Sequence, residues 1–165
     1  MQTKLTADRL RDLMLYDQET GFLRWKRNPP RATKDGAAGR LDNDGYRRVR
    51  VDRRDYVAHR LAWLYVHGEW PAHQIDHING DKTDNRLANL RDVPHAINVQ
   101  NIRRAATGKK SCSLLGAFKH RQTNRWQARI RLKGKVISLG YFDTPEQANA
   151  AYVEGKRRLH EGCTI

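Results

Sequence analysis

Residues 126–133 alternate strictly between apolar and polar side chains, and this pattern constrains the fold more than any other feature of the chain. Because successive side chains of a strand point to opposite faces, it predicts a strand with one buried face. The other face would carry Gln127, Arg129, Arg131 and Lys133. The Lys-Gly-Lys sequence that starts at Lys133 predicts a tight turn into a second strand at 136–141.

The second strand leads into a strong helix start. Ile137, Leu139 and Tyr141 are predicted to share one face of that strand. Thr144 then opens the sequence Thr-Pro-Glu-Gln, which is a capping box with proline at the first helical position. An apolar stripe of small residues follows, suited to close packing on a sheet. We therefore predict a three-stranded antiparallel sheet backed by one helix. Two interpretations of the basic face of this sheet are open. It enters the major groove of DNA, as other β-sheet proteins do, or it is a solvated face without a binding role.

The chain is strongly basic. It has 32 Lys and Arg against 18 Asp and Glu, a formal net charge of +14. Residues 1–107 contribute +6 and residues 108–165 contribute +8. Nucleic acid is the expected partner, because basic side chains that neutralise phosphates release condensed counterions. An anionic membrane surface is the main alternative, but no stretch is apolar enough to predict a bilayer span or a signal peptide.

The composition changes between the two halves. Residues 105–111 are small, polar and basic, so we predict a linker at 108–114 between a region at 1–107 and a domain at 115–165. In the first region, helical spacing predicts a helix from Thr6 to Tyr16 with Thr6 as its N-cap, and another from 58 to 67 that stops at a glycine. A hairpin is predicted around residues 52–55, and residues 28–44 read as loop. The two cysteines, Cys112 and Cys163, are too isolated to build a zinc knuckle.

The segment from Gln74 to Asp81 contains the strongest candidates for catalytic and metal-binding residues. Ile75 and Ile78 bracket Asp76 and His77 on a short predicted strand, and Asn-Gly-Asp then predicts a turn. A second strand is predicted at 87–91 and a helix at 96–104. The outline is strand, loop, strand, helix.

This arrangement suits hydrolysis of a phosphodiester, which needs a divalent ion and a base that activates water. Asp76 is a hard oxygen ligand suited to Mg²⁺, and Asn98 on the following helix would supply a second oxygen. His77 would be the general base. Asn89 would orient the loop or the imidazole through its amide. The nearby His73 and His95 are also candidates for contact with substrate or metal, whereas histidines in the helix at 58–67, including His59, usually lie on the surface or pack.

The pattern of Asp76-His77, Asn89-Leu90 and Asn98 with Asn101 resembles the HNH motif of phage and intron-encoded homing endonucleases. The variant is the one in which Asp and Asn occupy the outer metal-binding positions. The resemblance implies a ββα-metal core with its motif at 58–104, with Asp76 and Asn98 as metal ligands for one Mg²⁺ or Mn²⁺. It also implies catalytic roles for His77 and for Asn89, the central asparagine.

The segment after Leu115 resembles an AP2 domain at Gly116, at 126–131, at 139–142 and in the alanine-rich helix. The resemblance implies that basic residues of the sheet contact DNA, namely Lys119, Arg121, Arg125, Arg129, Arg131 and Lys133. Phe118 and His120 stand where plant AP2 domains usually carry arginine, which argues against direct base recognition there. In the first region Arg60 either contacts a phosphate or lies on a solvated helix face.

Together these features predict an α+β protein that nicks or cuts double-stranded DNA in the cytoplasm of a bacterial host or a phage-infected cell. A monomer is expected over a dimer, and no obligate protein partner is evident. Two alternatives remain. A non-catalytic DNA-binding regulator would bind without metal and would not cleave, and an RNA-binding protein would favour single strands stacked on exposed aromatic residues.

Overall fold

The computed structural model describes residues 4–27, 36–103 and 114–165. It contains two compact units, Met1–His95 and Ala96–Ile165. Both units mix helices with small antiparallel sheets, which agrees with the predicted α+β class. Most of the predicted linker, and the first part of the predicted loop at 28–44, lie outside the described residues.

The first unit opens with helix α1 (Ala7–Leu13), whose N-cap is Thr6 as predicted; the Thr6 hydroxyl accepts a hydrogen bond from the Arg9 N–H. The predicted continuation of this helix to residue 16 is wrong. The chain becomes extended at Met14, and β1 (Met14–Tyr16) pairs with β2 (Leu23–Trp25). The hairpin prevails over the last helical turn because its turn is firmly closed: the Asp17 carboxylate accepts hydrogen bonds from two backbone N–H groups within the turn.

A second sheet comprises β3 (Arg40–Leu41), β4 (Arg47–Val51) and β5 (Arg54–Val57) in the order β3-β4-β5. The predicted hairpin is therefore present, with a two-residue turn at 52–53. Val49 and Val51 of β4 are fully buried in the main core of this unit. The alternate residues, Arg48 and Arg50, are exposed on the opposite face.

Strand β5 runs directly into helix α2 (Ala58–His67). Leu61 and Leu64 of this helix join the core that contains the β4 valines. The helix ends at Gly68, as predicted; its φ of 80° is in the left-handed region, and its N–H bonds to the Leu64 carbonyl.

Strands β6 (Gln74–His77) and β7 (Leu90–Val93) form an antiparallel pair, and a 3₁₀ turn at Leu87–Asn89 precedes β7. Ile75 and Leu90 pack on Ala62 of α2, which fixes the pair against the helix. The helix predicted at 96–104 is shorter than expected. It consists of α3 (His95–Asn98) and a 3₁₀ turn (Val99–Asn101), and the chain leaves helical geometry at Ile102.

The second unit contains β8 (Ala117–Lys119), β9 (Trp126–Leu132), β10 (Lys135–Phe142) and helix α4 (Pro145–Leu159). The strands form an antiparallel sheet in the order β10-β9-β8, and α4 packs on it. The capping box of Thr144 with Gln147 is present on α4. The predicted sheet backed by one helix is therefore correct.

The predicted shared face of Ile137, Leu139 and Tyr141 is wrong. A β-bulge between Ser138 and Gly140 shifts the register against β9, and Gly140 has a φ of 123°. Leu139 packs beside the helix, whereas Tyr141 is 44% exposed on the other face, opposite Gln127. An extra residue in one strand reverses the alternation, and the sequence pattern alone cannot show it.

No helix among the described residues combines the length and the apolar character that a bilayer crossing requires.

Candidate active site

Asp76 and His77, the central pair of the predicted site, end strand β6 and are both buried. The β6–β7 register places Asp76 opposite Arg91. The Arg91 guanidinium donates Nε and Nη2 hydrogen bonds to Asp76 Oδ2, at 2.8 and 2.7 Å. This pairing compensates the burial of the carboxylate charge and fixes its orientation.

The His77 ring is held by Asn85, a residue that is 1% exposed. His77 Nε2 lies 3.2 Å from Asn85 Oδ1, while Asn85 Nδ2 donates to the Thr83 carbonyl at 3.3 Å. Because the amide nitrogen faces Thr83, its oxygen must face the imidazole. Nε2 is therefore the donor, and in the neutral ring the lone pair is on Nδ1. Burial lowers the pKa of His77 below its ordinary value, so the ring is neutral at neutral pH.

His59 of α2 lies against the same imidazole. The two ring centroids are 5.1 Å apart in an edge-to-face arrangement, and only 8% of His59 is exposed. Burial, reinforced by the positive charge that His77 and Arg60 can carry, lowers the pKa of His59 to about 3. Tyr46 completes the cluster, with its centroid 5.3 Å from that of His59 and 6.1 Å from that of His77.

Asn89, predicted to orient the loop or the imidazole, contacts the loop. Its Oδ1 accepts from the Asn79 N–H and its Nδ2 donates to the Asp84 carbonyl, both at 2.8 Å. Asn89 thus closes residues 79–84 into a fixed loop. The loop carries Thr83, whose carbonyl sets the orientation of the Asn85 amide. The loop also precedes Asn85 directly, and the Asn85 carbonyl accepts from the Tyr16 hydroxyl at 2.8 Å.

The proposed metal ligands fall on different units, Asp76 on the first and Asn98, the last residue of α3, on the second. Among the residues that the structure describes, no group of three or more His, Cys, Asp or Glu is arranged to hold a metal ion. Mg²⁺ does not need one, because it binds one or two carboxylates and keeps several waters. A buried aspartate and an amide carbonyl are hard oxygen donors, so the residue types fit this ion.

The other histidines near the motif lie at the far end of the β6–β7 pair. His95 Nδ1 is 3.1 Å from Gln74 Oε1, at the opposite end of β6 from His77. His73 Nδ1 is 3.7 Å from Asp92 Oδ1. Both side chains are exposed, and neither contact involves Asp76 or His77.

The predicted DNA-binding residues differ in their surroundings. Arg60 donates to the His73 carbonyl at 3.1 Å and lies over the Trp70 ring. In the second unit, the Arg129 guanidinium stacks on Phe118, 3.9 Å from the ring centroid. Arg125 pairs with Asp143 at 3.1 Å. The remaining predicted contacts are exposed: Lys119, Arg121, Arg131 and Lys133.

Sequence reasoning missed the supporting residues of this site. Neither Asn85 nor Arg91 was assigned a role in the site, because loop length and register decide which residue faces His77 or Asp76. His59 had a visible signal. It precedes Ala62 by three residues, so it shares the helix face that packs on β6 and β7.

Comparison with known proteins gives a match for one segment, which extends from the end of β5 past α3. No curated protein and no solved structure was found to match the chain. Residues 56–100, about a quarter of the chain, match the family model described as HNH endonuclease. The matched range includes His59, Asp76, His77, Asn85 and Asn98. This match supports the identification of an HNH nuclease domain, which suggests a hydrolase that acts on DNA.

Proposed function

We propose that the chain is a metal-dependent endonuclease of the HNH homing type, which nicks or cuts double-stranded DNA. One observation carries the proposal. A buried, neutral imidazole with a defined tautomer, His77, lies beside a buried carboxylate within the segment that matches the HNH model.

His77 is the general base. Its Nδ1 lone pair accepts a proton from the attacking water, and the lowered pKa keeps the ring in its basic form at neutral pH. The imidazolium that forms keeps its Nε2–H hydrogen bond to Asn85 Oδ1, which stabilises the positive charge. His59 and Tyr46 restrict the ring to one orientation by packing against it.

Asp76 and Asn98 would hold one Mg²⁺ or Mn²⁺. When bound, such an ion neutralises charge on the scissile phosphate and on the leaving oxygen. Arg91 orients the Asp76 carboxylate through two hydrogen bonds to one oxygen. Asn89 is a positioning residue, because it acts through the loop that holds Asn85 rather than on the reacting atoms.

The sheet of the second unit would position the duplex as an AP2-like domain. Support comes from its outward face, where Arg129 and Arg131 lie in register with Ser138 and Val136 of β10. Both arginines are exposed, and phosphate contacts of this kind orient a duplex without specifying its sequence.

Cleavage of supercoiled plasmid tests the proposal. Wild-type protein should relax or linearise the plasmid with Mg²⁺ or Mn²⁺ and not with EDTA, and His77→Ala should lose this activity. His67→Ala is the matched control, since His67 is an exposed histidine at the end of α2. Metal-dependent cleavage that survives in His77→Ala would refute the assignment of the base. Binding without cleavage, on DNA from the native host or element, would favour the regulator.

A further inference from the structure

The hairpin formed by β4 and β5 has a row of arginines on its outward face. Arg48 and Arg50 alternate with the buried valines of β4, and both are exposed. In the neighbouring strand pair, Arg40 lies directly opposite Arg48. Like charges directly opposite each other destabilise a sheet, and Asp42 offsets only part of this charge through its ion pair with Arg48 at 2.8 Å. Arg50 lies opposite Asp55 and donates to the Arg53 carbonyl at 3.4 Å, which adds partial compensation. The face nevertheless keeps an excess of arginine over aspartate, with Arg48 and Arg50 exposed.

The turn of the hairpin carries a further arginine at an unfavourable position. Asp52 and Arg53 both have positive φ, 46° and 66°, in a two-residue loop between the paired Val51 and Arg54. Loops of this kind prefer Asn-Gly, and a long side chain at the second position costs conformational energy. Arg9 secures the turn through hydrogen bonds of 3.1 and 3.2 Å to the Asp52 carboxylate. The turn thus holds an exposed Arg53 where glycine would be easier to accommodate.

The hairpin is joined directly to the candidate active site. Tyr46 immediately precedes β4 and contacts His59 and His77, and β5 runs without a loop into α2, which carries His59. From Tyr46 to Asp52 the strand rises by about 20 Å. One end of the hairpin therefore lies at the catalytic imidazole, and its turn is about 20 Å away along the strand.

We propose that this hairpin, residues 47–57, is an arm that binds the phosphate backbone of the duplex beside the cleavage site, with Arg50 and Arg53 as phosphate contacts. The inference rests on the proposed function, since the substrate of His77 supplies the duplex. An arm of about 20 Å spans about six base pairs of B-form DNA. The arm thus extends recognition to one side of the scissile phosphate.

Charge and composition favour duplex DNA over a lipid surface. The outward face consists of Arg40, Arg48, Arg50, Asp55 and Val57, and its only apolar member, Val57, is partly buried. Binding to a bilayer interface relies on exposed apolar side chains in addition to basic ones. Phosphate binding needs only the arginines, whose guanidinium groups match phosphate oxygens.

The test compares two double variants of the full chain, Arg50→Gln/Arg53→Gln and Arg157→Gln/Arg158→Gln. The second pair is a control of equal charge on α4, whose inner side packs on the sheet. Affinity for a labelled duplex is measured in EDTA from about 50 to about 200 mM salt, where each lost phosphate contact lowers the slope of log K against log salt by about 0.9. The hairpin variant should lose about two units of slope, and the control should stay at the wild-type value.

Arg53→Gly separates charge from folding. Glycine is unstrained at the φ of residue 53, so this variant should unfold at or above the wild-type temperature and still lose about one unit of slope. The hydroxyl-radical footprint of the double variant should be shorter by about six base pairs on one side. If the double variant still binds and cuts DNA, and its salt slope and footprint equal those of wild type, the hairpin does not bind phosphates. The proposed nuclease function would stand in that case. A wild-type protein that binds no duplex would overturn both the arm and the proposed function.

Discussion

We expect the neutral His59 to make the first unit sensitive to acid, by an amount that follows from the pKa of His59. Burial holds this pKa at about 3 in the folded chain, against an ordinary value of 6.5. Between these values the unfolded chain binds more protons, so folding stability falls as the pH drops below 6.5 and the contribution is fully present above it. At about 1.4 kcal/mol per pH unit, the difference between the folded and ordinary pKa of His59 corresponds to about 5 kcal/mol in the free energy of unfolding. About 2 kcal/mol of this is lost by pH 5.

The experiment measures the free energy of unfolding between about pH 8 and about pH 5 for wild type and His59→Gln. Glutamine does not titrate, so the variant should lose about 2 kcal/mol less than wild type over this range. Its absolute stability will also differ because the ring contacts with Tyr46 and His77 are lost, and the prediction concerns only the pH dependence. The exposed His67→Gln should follow wild type.

The chain has two compact units, so a single unfolding transition cannot be assumed. Amide hydrogen exchange within α2 reports on the first unit directly. If the protection of Leu61 and Leu64 falls with acid equally in wild type and in His59→Gln, the burial of a neutral His59 is not the cause of the acid sensitivity.

Two further predictions concern Asn85 and Gly116. Asn85→Ala should lower the rate constant of cleavage by about 10- to 100-fold without changing duplex affinity, because Asn85 selects the His77 tautomer, and Asn85→Asp should recover most of the rate. An equal loss of rate in both variants would show that a side-chain oxygen at position 85, as acceptor for His77 Nε2–H, does not contribute to the cleavage rate. Gly116→Ala should destabilise the second unit by about 3 kcal/mol, since a Cβ would lie 2.0 Å from Tyr152 Cγ at a φ of 76°. Gly134→Ala, with a similar φ of 81° and no atom within 4 Å, should cost only about 1 kcal/mol in thermal unfolding, and equal losses would contradict the packing argument.

The sequence predicts elements well where one local signal decides the outcome. The Thr144 capping box, the glycine stop after α2 and the alternation of β9 are all present in the structure. Prediction fails where two parts of the chain compete or where register matters. Residues 14–16, predicted as the end of α1, form a strand of the β1–β2 hairpin instead. The bulge between Ser138 and Gly140 places Tyr141 on the outward face of the sheet.

The same distinction applies to the candidate site. Asp76 and His77 could be selected from an adjacent carboxylate and imidazole on a predicted strand. The partners of this pair could not, because Arg91 meets Asp76 through strand register and Asn85 meets His77 through the shape of a loop. His59 lies between these cases. Its helical spacing from Ala62 was a signal for the buried face, but the prediction left it either on the surface or packed, and nothing in the sequence identified the His77 imidazole as its neighbour.

The boundary between the compact units does not follow the boundary of the sequence motif. Residues 96–103 belong to the second unit, and hydrogen bonds join them to α4 and to the residues that follow it. The Lys156 ammonium, 1% exposed on α4, donates to the Ile102 carbonyl. The Gly162 N–H donates to Gln100 Oε1 at 2.9 Å.

Burial of an ammonium group is costly unless it is compensated, and it lowers the pKa of Lys156. The hydrogen bond to the Ile102 carbonyl therefore offsets part of the cost of burying the Lys156 ammonium group. Asn98, the proposed second metal ligand, thus lies on a segment whose conformation depends on the fold of the unit that carries the basic sheet. A change that unfolds α4 should consequently disturb the position of Asn98 as well as the proposed DNA-binding face, although the linker predicted at 108–114 would place Asn98 and this face in separate domains.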